Sequence, residues 1–245
     1  MTAPRGEAAS RATNGPLNRP IIELRDVIRV YREADVETIA LRGVDLEIQA
    51  GEFVAIMGRS GSGKSTLLQL LAGSDRPTAG RVMVAGVDLS RADDTERASL
   101  RGARVGMVFQ SQNLVSFLDL NENIELAATL AGRSLQRAQV HDILDRVGLA
   151  NRARHRPDQL SGGEQQRAAL ALVLASRPSI ILADEITGEL DTITARLVLD
   201  LLAEVHRLDR VTIVVATHDP AVALRADRTV ILRDGVVVSD RERSA

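Results

Sequence analysis

Along the chain the apolar positions first alternate, then run together, then fall into helical spacing. The pattern predicts strands over Ile21–Tyr31 and Ala40–Ile48, the second with Leu41, Val44, Leu46 and Ile48 in near alternation before Gly51. Such half-apolar strands suit an antiparallel edge with one face on a core. Phe53–Met57 is different, because it is continuously apolar as a strand covered on both faces must be. A glycine-rich turn follows, and then a helix predicted over Ser65–Ala72 that stops at Gly73. Arg81–Val84, Arg104–Phe109, Ile180–Ala183 and Val211–Ala216 are further strand candidates, the last two short, apolar and flanked by helical patterns. Alternation of this kind implies an α/β fold with a parallel β core.

Between about Leu114 and Leu160 the character changes to helical periodicity, at Ile124, Leu126, Ala127 and Leu130 and again at Val140, Ile143, Leu144 and Val147 before Gly148. The expectation is a helical subdomain over about residues 114–165, inserted in the α/β core. Thr192–Leu208 reads as another helix, and Val230–Val238 as a closing hairpin around Asp234 and Gly235. Residues 1–20 mix Pro, Arg, Glu, Ser and Asn without an apolar stretch, which reads as a disordered leader and not a signal peptide. Residues 21–245 are then one domain, and no repeat at a period of 20 to 50 residues is visible in it.

Composition narrows the chemistry. With 245 residues, 44% apolar and 26% charged, the chain can bury a core and is not disordered throughout. The absence of cysteine excludes a disulfide scaffold, a thiolate metal site and a cysteine nucleophile. A net charge of -2 offers no basic field for nucleic acid, and one Tyr, three Phe and no Trp leave few platforms for stacking single-stranded bases. No nucleic acid partner is expected. The longest apolar run, Ala168–Ala175, falls well short of the roughly 20 residues that span a bilayer.

Three segments carry chemistry. Gly58-Arg59-Ser60-Gly61-Ser62-Gly63-Lys64-Ser65-Thr66 matches G-x-x-x-x-G-K-[ST] and sits between a buried strand and a helix, where the phosphate-loop mechanism needs it. Backbone N–H groups there make an anion nest at a helix N-terminus, Lys64 neutralises phosphate oxygens and Ser65 is placed to ligate Mg²⁺. Ile180–Glu185 is an apolar strand ending in two acids, a costly arrangement unless they face a cation or water. Asp184 is read as holding the Mg²⁺ shell and Glu185 as the general base for an attacking water. Leu160-Ser161-Gly162-Gly163-Glu164 opens a second helix N-terminus, either a plain cap or a phosphate-binding group that completes a site on another molecule.

Taken with Leu160–Arg167, these segments resemble the ATP-binding cassette (ABC) family of ATPases over roughly residues 21–240. The resemblance identifies Leu160–Arg167 as the family signature, with Ser161, Gly162 and Gly163 contacting ATP held by a second copy. It implies that Gln110 is the Q-loop glutamine touching Mg²⁺ and water, that His218 in Thr-His-Asp grips the γ-phosphate, that Asp191 belongs to the D-loop, and that Tyr31 stacks on adenine. Tyr31 has support of its own, as the single tyrosine of an aromatic-poor chain beside the polar segment Arg32–Glu37, with a satisfied edge-strand tyrosine as the alternative. Catalysis is thereby expected of Glu185, His218, Gln110 and Lys64, ATP contacts of Tyr31, Gly58–Thr66, Gln110, Ser161–Gly163 and Asp191, and Mg²⁺ ligation of Ser65, Gln110 and Asp184.

A finer resemblance, to lipoprotein-releasing, macrolide-exporting and cell-division ATPases, rests on Tyr31 with Ala40–Val44, on Val108–Leu114 and on Leu182–Glu185. It implies a homodimer with composite ATP sites, peripheral on the cytoplasmic face of the membrane beneath a permease that docks near residues 110–120. Phe117, Leu114, Val115 and Leu118 form the apolar cluster there. A regulatory ATPase that signals through a permease-like protein without transport is the alternative. Three residues depart from the family pattern: Ile186 where Pro is usual, Leu172 where Arg is usual, and Arg59 where Pro is common.

Overall fold

The computed structural model describes residues 19–33, 36–109, 113–188 and 190–243. Residues 1–18, most of the segment expected to be a leader, and Gln110 therefore lie outside the described residues. A six-stranded sheet forms the centre, in the order β10 (Val236–Glu242), β9 (Arg228–Arg233), β3 (Phe53–Met57), β8 (Thr212–Thr217), β7 (Ile180–Asp184), β6 (Val105–Val108). Every neighbouring pair is parallel except β9–β10, which is the expected hairpin around Asp234 and Gly235, both at positive φ.

The apolar runs find their explanation in this sheet. Phe53 and Ala55 of β3, Ile181 and Ala183 of β7, and Ile213 and Val215 of β8 point into one core. Val54, Ile56, Ile180, Leu182, Val214 and Ala216, the alternate residues, point into the other. On the first side lie α3 (Leu120–Leu130), α4 (Arg137–Arg146), α5 (Gly162–Ser176) and α6 (Thr192–Asp209). The second side carries α1 (Lys64–Leu71), α2 (Asp94–Ala103) and a four-stranded antiparallel sheet, ordered β2 (Val36–Ile48), β1 (Ile22–Glu33), β4 (Ala79–Val84), β5 (Val87–Asp88). Leu41, Val44, Leu46 and Ile48 all turn inward from that sheet, as their spacing predicts.

Two local differences from the sequence reading have simple causes. β1 and β2 run on past Tyr31 and begin before Ala40, pairing Arg32 with Glu37 and Glu33 with Val36. Backbone pairing and the Arg32–Glu37 ion pair (2.8 Å) extend a ribbon in which Arg32, Val36 and Glu37 are all exposed. Leu130, expected on the apolar face of its helix, is exposed because it ends the last turn of α3. The helix α5 is buried nearly all round, which accounts for Ala168–Ala175 without a membrane. Its close seat on β6 requires Gly106, where a Cβ would lie 2.4 Å from Val173 Cγ1. Among the described residues no helix is long and apolar enough to cross a membrane.

Candidate active site

Parallel strands aim their C-terminal ends in one direction, and the predicted groups collect there. β3 delivers the loop Gly58–Gly63, β7 ends in Asp184 with Glu185 just after it, and β8 ends in Thr217 before His218. In register, Met57 lies beside Thr217 and Asp184 beside Ala216. Between these ends opens a cleft of about 550 Å³ lined by residues that include Tyr31, Ser60, Gly61, Gly63, Lys64, Ser65, Thr66, Glu185 and His218.

The loop is held from outside. Its Ser62 carbonyl accepts the Gly235 N–H (3.1 Å), and the Gly235 carbonyl accepts the Arg42 N–H (2.8 Å), tying it to the β9–β10 turn and to β2. A Cβ at Gly58 would stand 2.4 Å from the Leu232 carbonyl, and Gly63 has φ 102 with the Ala40 carbonyl 2.5 Å from its absent Cβ. Both positions thus need glycine for close backbone approach and, at Gly63, for conformation. No side chain caps α1 and no acid sits in its first turn, whereas α2, α3 and α5 begin with reciprocal boxes, Asp93–Glu96, Asp119–Glu122 and Ser161–Glu164. An uncapped N-terminus beside Lys64 favours an anion.

Lys64 is buried, and its ammonium donates to the carbonyls of Gly58 (2.9 Å) and Arg59 (3.2 Å) with the Glu185 carboxylate 3.6 Å away. Glu185 sits at φ 48, a strained conformation for a residue with a side chain. Its N–H is fixed by the Ala216 carbonyl (2.9 Å) and its own carbonyl by the Gly188 N–H (3.0 Å). The carboxylate meets His218 Nδ1 at 3.0 Å and accepts the Thr217 hydroxyl at 3.3 Å. Thr217 Oγ1 accepts the Asp219 N–H (3.0 Å), so its proton is directed at Glu185. Ile186 is buried where it follows Glu185.

Asp184 carries an unfilled demand. Burial raises its pKa above the ordinary carboxylate value, against the lowering effects of the Ser65 hydroxyl and Lys64, with Glu185 adding to the rise. Its Oδ1 is buried without a hydrogen-bond partner. An orphaned carboxylate oxygen, a neighbouring hydroxyl and an all-oxygen donor set fit a hard divalent cation of the Mg²⁺ type.

Tyr31 lines the same cleft, and it lies not on an edge strand but on the end of β1 that runs past β4 and pairs with β2 alone. Its hydroxyl donates to Asp75 Oδ2 at 2.9 Å, and the Arg29 guanidinium lies over its ring, 4.3 Å from the centroid. Arg29 grips the same carboxylate through two bonds, 2.7 and 2.8 Å. Thr217, Arg29 and Asp75 were not singled out by sequence reasoning. The Thr-His-Asp string gave a signal for Thr217, while the meeting of Asp75 with Tyr31 across 44 positions of sequence had none.

Ser161, Gly162, Gly163 and Asp191 do not line this cleft. Ser161 caps α5, with its Oγ accepting the Glu164 N–H (3.3 Å) while Glu164 accepts the Ser161 N–H (2.9 Å). Asp191 caps α6 through the N–H groups of Ile193 (3.0 Å) and Thr194 (3.1 Å). Gly163 is buried where α5 meets the start of α6.

Residues 41–188 match the family model "ABC transporter". The chain is 47% identical over 223 residues to a macrolide export ATP-binding/permease protein, MacB, of Hyphomonas neptunium, covering 90% of this chain and 34% of that relative. It therefore spans about a third of the length of the MacB relatives it matches. An uncharacterized ABC transporter ATP-binding protein of Thermotoga maritima is 44% identical and is covered to 93% of its length, with 89% of this chain aligned. Among solved structures, the dimeric post-hydrolysis state of the ATP-binding cassette MJ0796 bound to ADP and Pi superposes with a TM-score of 0.84 at 38% identity, covering 91% of this chain and all (100%) of that one. With its phosphate loop, its paired strand-end acids and its signature helix in one α/β frame, the chain belongs to the ABC transporter family and is an ATPase cassette of it.

Proposed function

We propose that the cassette hydrolyses ATP as one half of a homodimer that drives a membrane permease of the export or lipid-extraction type. The observation that carries the reading is the convergence of Lys64, Glu185 and His218 within 3.6 Å contacts in one cleft, beside the unpartnered Asp184 oxygen. Lys64 and the backbone N–H groups of the loop over Ser60–Ser65 bind the phosphates. Glu185 accepts the proton of the attacking water, and His218, held by Glu185, grips the γ-phosphate. Ser65, Asp184 and Gln110 would hold Mg²⁺, which supplies charge neutralisation of the phosphates when bound. Tyr31 stacks on adenine.

Ser161, Gly162, Gly163 and Asp191 act on the nucleotide of the second copy, which is why they stand outside their own cleft. Dimeric cassette structures of MJ0796 support this arrangement. The helices between about residues 114 and 165 form the subdomain that relays closure to the permease, and the cassette sits peripherally on the cytoplasmic face of the membrane. A groove of about 360 Å³ lined by residues including Phe109, Asn113, Leu130 and Leu172 supports docking at this part of the cassette. Leu172, where the family usually has arginine, makes that groove more apolar. Phe117, within residues 110–120, is 72% exposed and so is free to meet a partner.

Glu185→Gln tests the chemistry. The amide keeps the shape of the side chain and loses the proton acceptor, so turnover should fall on the order of 10²- to 10⁴-fold while ATP still binds. Light scattering should then show a dimer that persists in Mg-ATP. Undiminished turnover in this variant would remove Glu185 from the mechanism.

A further inference from the structure

We propose that Arg29 and Asp75 are positioning residues that hold Tyr31 as a preassembled, one-sided platform for a planar base, so that they set affinity for the base of a nucleotide and not for its phosphates. The proposal rests on the reading of the cleft as a nucleotide site.

A tyrosine near the end of a strand, where β1 has run past β4 and pairs with β2 alone, ordinarily samples more than one rotamer, and ordering it on binding costs affinity. Here the ordering is already done. The Tyr31 hydroxyl donates to Asp75 Oδ2 (2.9 Å), and the Arg29 guanidinium closes a triangle by bonding both Asp75 oxygens and covering the ring. Arg29 and Asp75 are about four-fifths shielded from water, with side-chain exposures of 22% and 19%, so the pair is screened less than a surface ion pair. Burial works against ionisation of Asp75, but Arg29, the Arg76 N–H and the Tyr31 hydroxyl outweigh it and hold the carboxyl below its ordinary range.

The clamp is itself anchored to the core. Buried Arg97 donates to the Asp75 carbonyl (2.8 Å) and to the carbonyls of Ala92 (3.1 Å) and Leu89, so the backbone that carries the carboxylate cannot drift. With the guanidinium on one face of Tyr31, one face at most is left for a ligand. The cation also draws density from the ring, which favours an electron-rich base on the open side. The Tyr31 hydroxyl touches the phosphate loop only through Thr66 Oγ1, at 3.5 Å against 2.9 Å to Asp75, and Lys64, Ser65 and the rest of the loop make no bond to Arg29 or Asp75 among the described residues, so losing the clamp leaves the phosphate-binding groups in place.

The experiment compares Mg-ADP with Mg-pyrophosphate, which shares the phosphates and lacks the base, by calorimetric titration of the full chain. Asp75→Asn exchanges one acceptor oxygen for a donor, and Arg29→Gln removes the guanidinium. Each should weaken ADP roughly tenfold, within the range of base–aromatic stacking, and leave pyrophosphate within about twofold. KM for ATP should rise by a similar factor with kcat nearly unchanged. Tyr31 is the only tyrosine and there is no tryptophan, so emission excited at wavelengths that the three phenylalanines do not absorb reports on this ring alone and should change with ADP and not with pyrophosphate. Tyr31→Phe keeps the ring and loses the bond to Asp75, and should show the same selectivity should either clamp variant fold poorly. Equal loss of pyrophosphate affinity would assign the clamp to stability alone, and unchanged ADP affinity in all three variants would overturn it. Wild-type protein that binds neither ligand would overturn the nucleotide reading first and the clamp with it.

Discussion

Asp184 shows how one side chain is placed for function at the expense of the fold. Burial raises its carboxyl above the ordinary value, so the charged form costs stability at neutral pH in the ligand-free protein. For an acid raised in the folded state, that cost is full above the folded pKa and vanishes as pH falls through it to the unfolded value near 3.8. Asp184→Asn should accordingly melt higher than wild type at neutral pH without ligand, and the gap should close as the solution is acidified through that window. In Mg-ATP the order should reverse, because the variant loses the cation-dependent gain. Thermal melts across pH, with and without Mg-ATP, check both signs.

At the scale of elements, the meeting of α5 and α6 depends on a missing side chain. A Cβ at Gly163 would stand 2.1 Å from Thr194 Cγ2, closer than any real contact. Gly163→Ala should therefore destabilise the chain by roughly 1–3 kcal/mol through overpacking. Thr194→Ser removes the offending methyl and keeps the hydroxyl that bonds Asp191, so the double variant should recover most of the loss. Denaturant melts of the four proteins give the coupling directly, and independent, additive losses would show that the two helices do not meet through this pair.

For the whole molecule, the separation of Ser161 from its own cleft makes a complementation test decisive. Lys64→Ala removes a buried cation from the phosphates and should weaken nucleotide binding roughly 10- to 100-fold. Ser161→Arg should leave monomer binding intact and lower hydrolysis, at a cost of about 0.5–2 kcal/mol for the lost α5 cap, which a melt will show. Mixed in equal amounts, two nearly inactive proteins should regain activity, since a heterodimer pairs one intact Lys64 with one intact Ser161. Half the dimers are then mixed and half their sites complete, giving about a quarter of wild-type turnover. Absence of recovery would mean that Ser161 serves its own subunit.

What the sequence determined by itself was local and periodic. The apolar run Phe53–Met57, the glycines from Gly58 to Gly63 and the acids closing Ile180–Glu185 each impose a conformation or a burial state within a few residues. The α/β class and the cleft at the strand ends follow from these because parallel strands buried on both faces must alternate with helices. Element ends were less legible, as at Arg32–Glu37, where cross-strand bonds extend a ribbon that has no apolar pattern. Only the tertiary structure decided the contacts between distant segments. Asp75 reaches Tyr31, Thr217 and His218 both reach the Glu185 carboxylate, and Thr194 closes on Gly163, because packing joins residues whose separation in sequence carries no periodic signal.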